Sequence, residues 1–283
     1  MRKLLIAATL AAAMLVPTSS ALAQTHNPTG EFAQFAECPH TNPSVLLCVY
    51  SESNGGFFQM GSKTVPLVNP VILQGGLTLA GFVGAANGET LSKTPQPVPG
   101  GLLGIVAPKW WPGWLEDWFN DQINDGFTGV NATVEVAGPA SGIKISTLNL
   151  LLQKGTALSL PAKIKLSNPI LGSSCYIGSD SKPVVIDFTS GTTAPPPPNE
   201  PITGSVGTPE QNEAGTLITL SGGQLVNNSF GAPEADGCGG IFSFFVDPLV
   251  NSLVGLPSPA GANTAVLEGK LQTAVASAVV ESE

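Results

Sequence analysis

Short apolar runs that end at turn residues are the feature that most constrains how this chain can fold. From residue 57 to residue 188, Gly, Pro and Asn break the apolar runs, and the 283-residue sequence holds 33 glycines and 25 prolines. Several short runs separated by turn clusters are typical of strands in a β-sandwich or a β-barrel. The predicted strands are residues 57–60, 71–79, 130–136, 143–148, 157–166 and 184–188.

The stretch 130–136 shows the strand pattern most clearly. Its even-numbered residues are apolar, whereas Asn131, Thr133 and Glu135 between them are polar. Because successive side chains of a strand point to opposite faces, we expect the apolar face of this strand in the core.

A Trp-rich stretch departs from the strand pattern and predicts an amphipathic helix near residues 112–125. Pro112 suits a first helical turn and Gly126 supplies a stop. The apolar residues from 111 to 123 fall on one face of such a helix. The candidate contact residues are Trp110, Trp111, Trp114, Trp118 and Phe119, which include all four tryptophans of the chain.

The simplest interpretation of this cluster is a helix that caps the open end of a β core. Trp at this density would also suit a membrane interface, a platform that stacks on sugars or the wall of an apolar ligand cavity. Asp117, Asp121 and Asp125 form a stripe at helical spacing, which indicates a solvated face rather than a calcium-binding loop. This acidic face disfavours an anionic membrane surface.

The C-terminal part of the chain predicts further helix. Residues 242–253 have a helical pattern in which Pro248 is either a break or a new start, and residues 264–280 fit a strand followed by a helix. The predicted fold class is mainly β: a sandwich or barrel with one amphipathic helix capping an end and one or two C-terminal helices.

A Thr/Pro-rich segment, residues 189–201, separates a β-rich region of residues 24–188 from a C-terminal region of residues 202–283. Its run of prolines favours an extended polyproline conformation. The segment is either a linker or a surface crossover within one folded unit, and a disulfide between Cys175 and Cys238 would favour the crossover.

Residues 1–23 have the three parts of a secretory signal peptide. Arg2 and Lys3 form a positive start, residues 4–16 are an uncharged apolar run, and residues 21–23 (ALA) are a small-residue cleavage site. The apolar run is too short to span a bilayer, so we expect no transmembrane anchor after cleavage before Gln24. The sequence therefore predicts a secreted or cell-envelope protein.

The charge of the chain makes nucleic acid an improbable partner. Cleavage would remove two basic residues and no acid, which changes the formal charge from −9 to −11. Arg2 is the sole arginine, so the mature chain lacks the group that best binds phosphate, and its acidic balance repels a polyanion.

Four cysteines, an even number in an exported chain, predict two disulfides. Three connectivities are open, and we favour Cys38 with Cys48 and Cys175 with Cys238. The spacing of the cysteines with His26 and His40 does not match a zinc site, so no metal or cofactor is predicted.

No catalytic signature stands out in the sequence. The two histidines, His26 and His40, lie near the mature N-terminus, and no Gly-x-Ser-x-Gly motif occurs. The Ser-x-x-Lys matches at residues 141–144 and 179–182 are expected by chance and lack their partner motifs. Glycan hydrolysis by a pair of carboxylates remains a hypothesis, because the distance between the two groups depends on the fold and cannot be read from the sequence.

Several short motifs resemble those of a group of uncharacterised exported actinobacterial proteins. The resemblance spreads over most of the mature chain and implies export, but it implies no activity, ligand or catalytic residue. The motifs are residues 48–52 (CVYSE), 61–67 (GSKTVPL), 74–76 (QGG), 91–95 (LSKTP), 98–104 (VPGGLLG), 174–178 (SCYIG) and 237–241 (GCGGI).

The function predicted from the sequence is a non-catalytic structural or binding role outside the cytoplasm, with an apolar ligand or the cell-envelope surface as partner. A second hypothesis is a carrier of an apolar ligand or lipid, with the Trp helix as a lid over a cavity. A third is a carboxylate-based glycan hydrolase.

Overall fold

The computed structural model describes residues 27–101, 109–124 and 129–283. The predicted signal peptide and His26 lie outside these residues. The described chain is mainly β, as predicted, and its strands form two antiparallel sheets arranged as a sandwich rather than a closed barrel.

Fourteen strands and four α-helices make up the described chain. Three short 3-10 turns, Gly30–Phe35, Ala140–Gly142 and Gly240–Phe242, complete it. The strands are β1 (Leu47–Met60), β2 (Lys63–Pro66), β3 (Val71–Thr78), β4 (Gly81–Gly84), β5 (Gln96–Pro97), β6 (Asn131–Val136), β7 (Lys144–Ile145), β8 (Leu158–Ser167), β9 (Tyr176–Ile177), β10 (Val184–Phe188), β11 (Thr208–Gln211), β12 (Leu217–Asn227), β13 (Ala235–Asp236) and β14 (Thr264–Val275). The helices are α1 (Gly113–Asn124), α2 (Thr147–Leu152), α3 (Ser243–Val254) and α4 (Ala276–Glu281).

The first sheet has the order β11-β12-β14-β1-β3-β4, and β2 also pairs with β1. Its middle strand, β14, comes from the C-terminal region and pairs on one side with β1 and on the other with β12. The sheet therefore combines strands from both sides of the Thr/Pro-rich segment.

The second sheet has the order β13-β9-β8-β6-β5, and β7 and β10 also pair with β8. Along β8 every second residue is buried, from Leu158 to Leu166, while Lys163 and Lys165 point to the opposite face. This alternation buries one face of the sheet against the first sheet and leaves the other polar.

The main core lies between the two sheets. Leu73 and Phe82 of the first sheet belong to one buried cluster with Ile164, Ile186 and Phe188 of the second. Each such side chain contributes about 1.5–3 kcal/mol when it is fully buried, so this contact is the largest stabilising feature of the fold.

A smaller core lies on the outer face of the first sheet. Cys48, Ala274 and Leu217 occupy one row across three paired strands, so their side chains share a face. Phe35 of the N-terminal 3-10 turn and Val279 of α4 pack over this row. The outer face is thus covered at one end by the two terminal segments of the described chain.

A glycine permits the close packing of β14 against β1. A Cβ at Gly269 would overlap the carbonyl oxygen of Glu52, so only glycine fits at this position. Both neighbouring strands carry a bulge opposite it, between Ser53 and Gly55 in β1 and between Ser221 and Gly223 in β12. The local twist that bulges introduce explains why this row is rich in glycine.

Most predicted strands are confirmed. The strands predicted at 71–79, 130–136, 157–166 and 184–188 match β3, β6, β8 and β10 to within one residue at each end. The one predicted at 57–60 is the end of the much longer β1.

The strand predicted at 143–148 is wrong beyond residue 145. Ser146 has extended backbone and its hydroxyl accepts a hydrogen bond from the Asn149 amide at 3.2 Å, which caps the first turn of α2. An N-cap serine followed by leucines favours helix over strand here.

The predicted strand and helix at 264–280 and the predicted helix at 242–253 are confirmed. The expectation for Pro248 is wrong, because α3 continues through it as one helix with neither a break nor a new start. Helix α1 covers the predicted Trp-rich region, although residues 125–128 lie outside the described structure.

The Thr/Pro-rich segment runs from the second sheet to the first. Thr193 at its start donates a backbone hydrogen bond to Ile202 just after its end, so the segment folds back on itself. Asn199 within it donates to the carbonyl oxygens of Asn228 and Asn263, both at 2.9 Å. The segment is therefore attached to the end of β12 and the start of β14.

The two disulfides are Cys38–Cys48 and Cys175–Cys238, the pairing that we favoured from the sequence. Their sequence separations are 10 and 63 residues. The longer loop contains the Thr/Pro-rich segment and β9 to β13.

Removal of the longer disulfide should destabilise the protein more than removal of the shorter one. Closing a loop costs the unfolded chain more entropy as the loop lengthens, so we expect losses of about 4 kcal/mol for Cys175→Ser/Cys238→Ser and about 3 kcal/mol for Cys38→Ser/Cys48→Ser. Urea unfolding of both double variants measures these losses. A larger loss for the shorter loop would contradict the expectation.

Asn263 is fully buried and joins three segments. Its Oδ1 accepts hydrogen bonds from the Gly61 amide and the Ser258 hydroxyl, and its Nδ2 donates to the carbonyl oxygens of Phe230 and Pro259. The side chain thus connects the β1–β2 turn to the loops after β12 and α3.

Asn263→Ala should lower the free energy of unfolding by about 3 kcal/mol, because it leaves buried donors and acceptors without partners. Exposed Asn87, whose Oδ1 accepts one hydrogen bond from the Glu89 amide, provides the control. Asn87→Ala should cost less than about 1 kcal/mol. Equal losses in chemical denaturation would show that the Asn263 network is not stabilising.

Candidate functional site

The Trp-rich helix does not bury its tryptophans against the core. Trp110, Trp114 and Trp118 are between 57% and 82% exposed. Trp111 is half-buried and meets the ring of Trp110 edge to face, with 6.2 Å between centroids. The side chain of Phe119 lies outside the described residues. The described tryptophans therefore present apolar surface to solvent.

The acidic stripe of α1 is solvated where the structure describes it. Asp117 and Asp121 are exposed, and Asp125 lies outside the described residues. Within the described ranges, no group of three His, Cys, Asp or Glu side chains is arranged to hold a metal ion.

The segment that carries the tryptophans leaves and re-enters the sandwich beside α3. Gly101 before it and Val130 after it line an apolar cavity of about 70 Å³ between the sheets. Val250 and Val254 of α3 line the same cavity. The roots of the Trp segment and the buried face of α3 therefore lie at the same end of the sandwich.

Helix α3 is apolar on both of its faces. Val246, Val250 and Val254 face the core, whereas the large apolar side chains on the other side of α3 and in the 3-10 turn just before it are between 52% and 86% exposed. The Phe244 and Phe245 rings lie 4.1 Å apart between centroids. The exposed set is Ile241, Phe242, Phe244, Phe245 and Leu249.

We use the name apolar end for these five side chains together with the exposed tryptophans Trp110, Trp114 and Trp118. Its charge is sparse and mostly negative: Asp247 is the sole charged residue from 237 to 267, whereas Lys109 is followed by Glu116, Asp117 and Asp121 beside the tryptophans. The carboxylate of Asp247 accepts a hydrogen bond from the Cys238 amide at 2.7 Å, so it is held by the chain itself.

The cavities between the sheets are small. A second apolar cavity, also of about 70 Å³, is lined by Leu73, Leu158, Leu225 and Leu267. A cavity of roughly 150 Å³ is needed to hold even benzene. An acyl chain would therefore enter either cavity only if the sheets separated.

A larger cleft lies outside the sandwich, against the polar face of the second sheet. We call it the polar cleft; it has a volume of about 900 Å³ and opens between β9, the 233–237 segment and α3. Its charged lining residues are Lys163, Asp180, Lys182, Glu234, Asp236 and Asp247.

An ion pair fixes one wall of the polar cleft. The Lys163 ammonium donates to Asp180 at 2.8 Å, and the Gly138 amide donates to the same carboxylate oxygen at 3.0 Å. The hydrogen bonds from Lys163 and then Gly138 hold the pKa of Asp180 below 3.8, and the bond to Asp180 raises the pKa of Lys163. The Lys163 ammonium also lies 5.5 Å from the centre of the Tyr176 ring.

The structure places the other candidate residues in structural roles. His40 is buried beside the Cys38–Cys48 disulfide, with its Nε2 3.1 Å from the Glu283 carboxylate. Ser179 and Lys182 lie in a tight turn, in which the serine hydroxyl accepts a hydrogen bond from the Lys182 amide. An acyl-enzyme motif would place these two residues on a helix instead. Ser141 lies in a 3-10 turn.

Sequence reasoning missed the exposed face of α3. The signal was the run Ile-Phe-Ser-Phe-Phe at 241–245, which makes the helix apolar all round, although one side suffices for packing. The polar cleft gave no sequence signal because its residues come from five separate segments.

No known protein family matches the chain, and no curated protein or solved structure matches it. Among the described helices, none has both the length and the apolar character to cross a membrane. The two disulfides are typical of a protein in an oxidising compartment.

Lys163→Met should raise the pKa of Asp180 towards 3.8, since it removes the main partner of the carboxylate. The stabilisation from the depressed pKa is present above the unfolded value and is lost as the pH falls through the folded value. An NMR titration of the Asp180 carboxyl measures the shift. A pKa unchanged by the substitution would show that the Gly138 amide alone sets it.

Proposed function

We propose that this is an exported, non-catalytic binding protein that attaches to a neutral lipid surface of the cell envelope through its apolar end. The observation that carries the proposal is the exposure of five large apolar side chains within residues 241–249, more than half of each in solvent.

Export is supported by two independent features. Residues 1–23 have the charge pattern, apolar run and small-residue site of a signal peptide. The two disulfides are compatible with an oxidising compartment outside the cytoplasm.

The area of the apolar end supports a binding role. Each exposed aromatic ring carries on the order of 100 Å² of apolar surface. The five side chains of 241–249 together expose on the order of 500 Å², which is the size of the largest apolar patch of a typical monomer, and such patches are often functional contacts. The three exposed tryptophans favour a membrane, because Trp is enriched where hydrocarbon meets water.

Electrostatics select the kind of lipid surface. The apolar end offers no cluster of Lys or Arg, and the mature chain would carry a formal charge of −11. An anionic bilayer would repel such a protein, whereas a zwitterionic or uncharged surface would not.

The two alternative functions have less support. A carrier would need space for an acyl chain, and the cavities between the sheets are each about 70 Å³. A glycan hydrolase would need a protonated carboxyl beside a second acid. The hydrogen bonds from Lys163 and then Gly138 lower the pKa of Asp180 in the polar cleft, which is the opposite of the raised pKa that a general acid requires.

The purified mature protein should float with vesicles of phosphatidylcholine, and Phe244→Ser/Phe245→Ser should weaken partitioning at least about tenfold. Each ring contributes up to about 1.5–3 kcal/mol when it is fully withdrawn from water. Because all four tryptophans lie in residues 110–118, a blue shift of Trp emission on vesicle addition would report insertion of that segment alone.

Leu151→Ser/Leu152→Ser is the matched control, because these side chains of α2 are exposed apolar residues outside the apolar end. It should leave partitioning within about twofold of the native value. Failure of the native protein to float, tighter binding to anionic vesicles, or equal loss in both double variants would each refute the proposal.

A further inference from the structure

The polar cleft has walls that are fixed before any ligand arrives. The Asn251 side chain of α3 accepts a hydrogen bond from the Ala235 amide at 2.7 Å and donates one to the Ala235 carbonyl oxygen at 3.0 Å. The Asp247 carboxylate accepts a hydrogen bond from the Cys238 amide. Cys238 forms a disulfide with Cys175, the residue before Tyr176. The helix, the 233–237 segment and β9 are thus joined, so binding would cost little ordering of the protein.

One aromatic ring lies on the floor of the cleft. Tyr176 pairs across β9 and β13 with Asp236, and both line the cleft. The ring is partly exposed on the polar face of the second sheet. Three prolines, Pro233, Pro248 and Pro257, add rigid apolar lining around it.

The charges of the cleft disfavour an anion within it and a cation at the Tyr176 ring. An anion would meet the carboxylates of Asp180, Glu234, Asp236 and Asp247, and the mature chain has no arginine to offset them. A cation at the ring would meet the Lys163 ammonium, which already lies 5.5 Å from its centre. Lys165, opposite Tyr176 in the strand pairing, adds a second positive charge on the same face.

We infer that the polar cleft binds a neutral oligosaccharide, a site separate from the apolar end. The C–H face of a sugar ring carries partial positive charge and packs on the negative face of an aromatic ring. Sugar hydroxyls donate to carboxylates and accept from ammonium groups, and the cleft offers Glu234, Asp236 and Lys182 for these bonds. A volume of about 900 Å³ suits a ligand of several rings.

Calorimetric titration of the mature protein with neutral tetrasaccharides of N-acetylglucosamine, glucose and mannose tests this inference. We expect at least one to saturate with a Kd at or below about 1 mM. Tyr176→Ala should weaken that binding about tenfold, and Tyr176→Phe, which keeps the ring, should retain it. Trp emission should not change, since the tryptophans report only on the Trp segment.

The chain supplies a matched control in Tyr50, the second of its two tyrosines. Tyr50 also has a lysine near its ring, with the Lys270 ammonium 5.8 Å from the centre, but it lies on the first sheet. Tyr50→Ala should leave sugar binding within about twofold of the native value.

Three results would overturn the inference. The first is no saturation by any neutral tetrasaccharide, and the second is equal loss of binding in Tyr50→Ala and Tyr176→Ala. The third is tighter binding of the deacetylated, cationic glucosamine tetramer than of the N-acetylated one. None of these results bears on vesicle binding, so the sugar site and the lipid contact can fail separately.

Discussion

The pairing of β14 between β1 and β12 is the contact on which the rest of the structure depends. It makes the C-terminal region the middle of the first sheet and fixes the row in which Gly269 passes the Glu52 carbonyl. With β14 absent, β12 would keep β11 but lose its other partner, and β1 would lose the strand along one of its edges. The small core of Phe35 and Val279 would also lose Ala274 beneath it.

This arrangement explains where the two candidate surfaces lie. The strands of the two sheets come from both ends of the chain and form the framework of the fold. The Trp segment and α3 are insertions between these strands and are not part of either sheet. Helix α3 contributes to both surfaces: its Phe side chains form the apolar end, and Asp247 and Asn251 form a wall of the polar cleft. The Cys175–Cys238 disulfide holds the start of this helix to the second sheet.

The sequence predicted the parts of the fold that have a local signal. Strict alternation identified β6, a short run bounded by turn residues identified β8, and the spacing of apolar residues identified α1. Strand β12 was not predicted, because Gly222, Gly223 and the bulge beside them interrupt its alternation of apolar and polar residues. The polar cleft escaped for a different reason: Tyr176 and Asp236 meet only through strand pairing, and no local pattern encodes that contact. The exposed Phe side chains of α3 were visible as a run, but a run does not say which side faces water.

The order of the disulfides has a consequence for how the protein matures. The first cysteine bonds to the second and the third to the fourth, so no bridge spans an unpaired thiol. If the chain crosses a membrane with its N-terminus first, a thiol oxidase on the far side could form each native disulfide as soon as the second cysteine of that pair has crossed. Such a chain would form its native disulfides without an isomerase to rearrange them. Strand β14, by contrast, could pair with β1 only after the last residues of the chain had crossed.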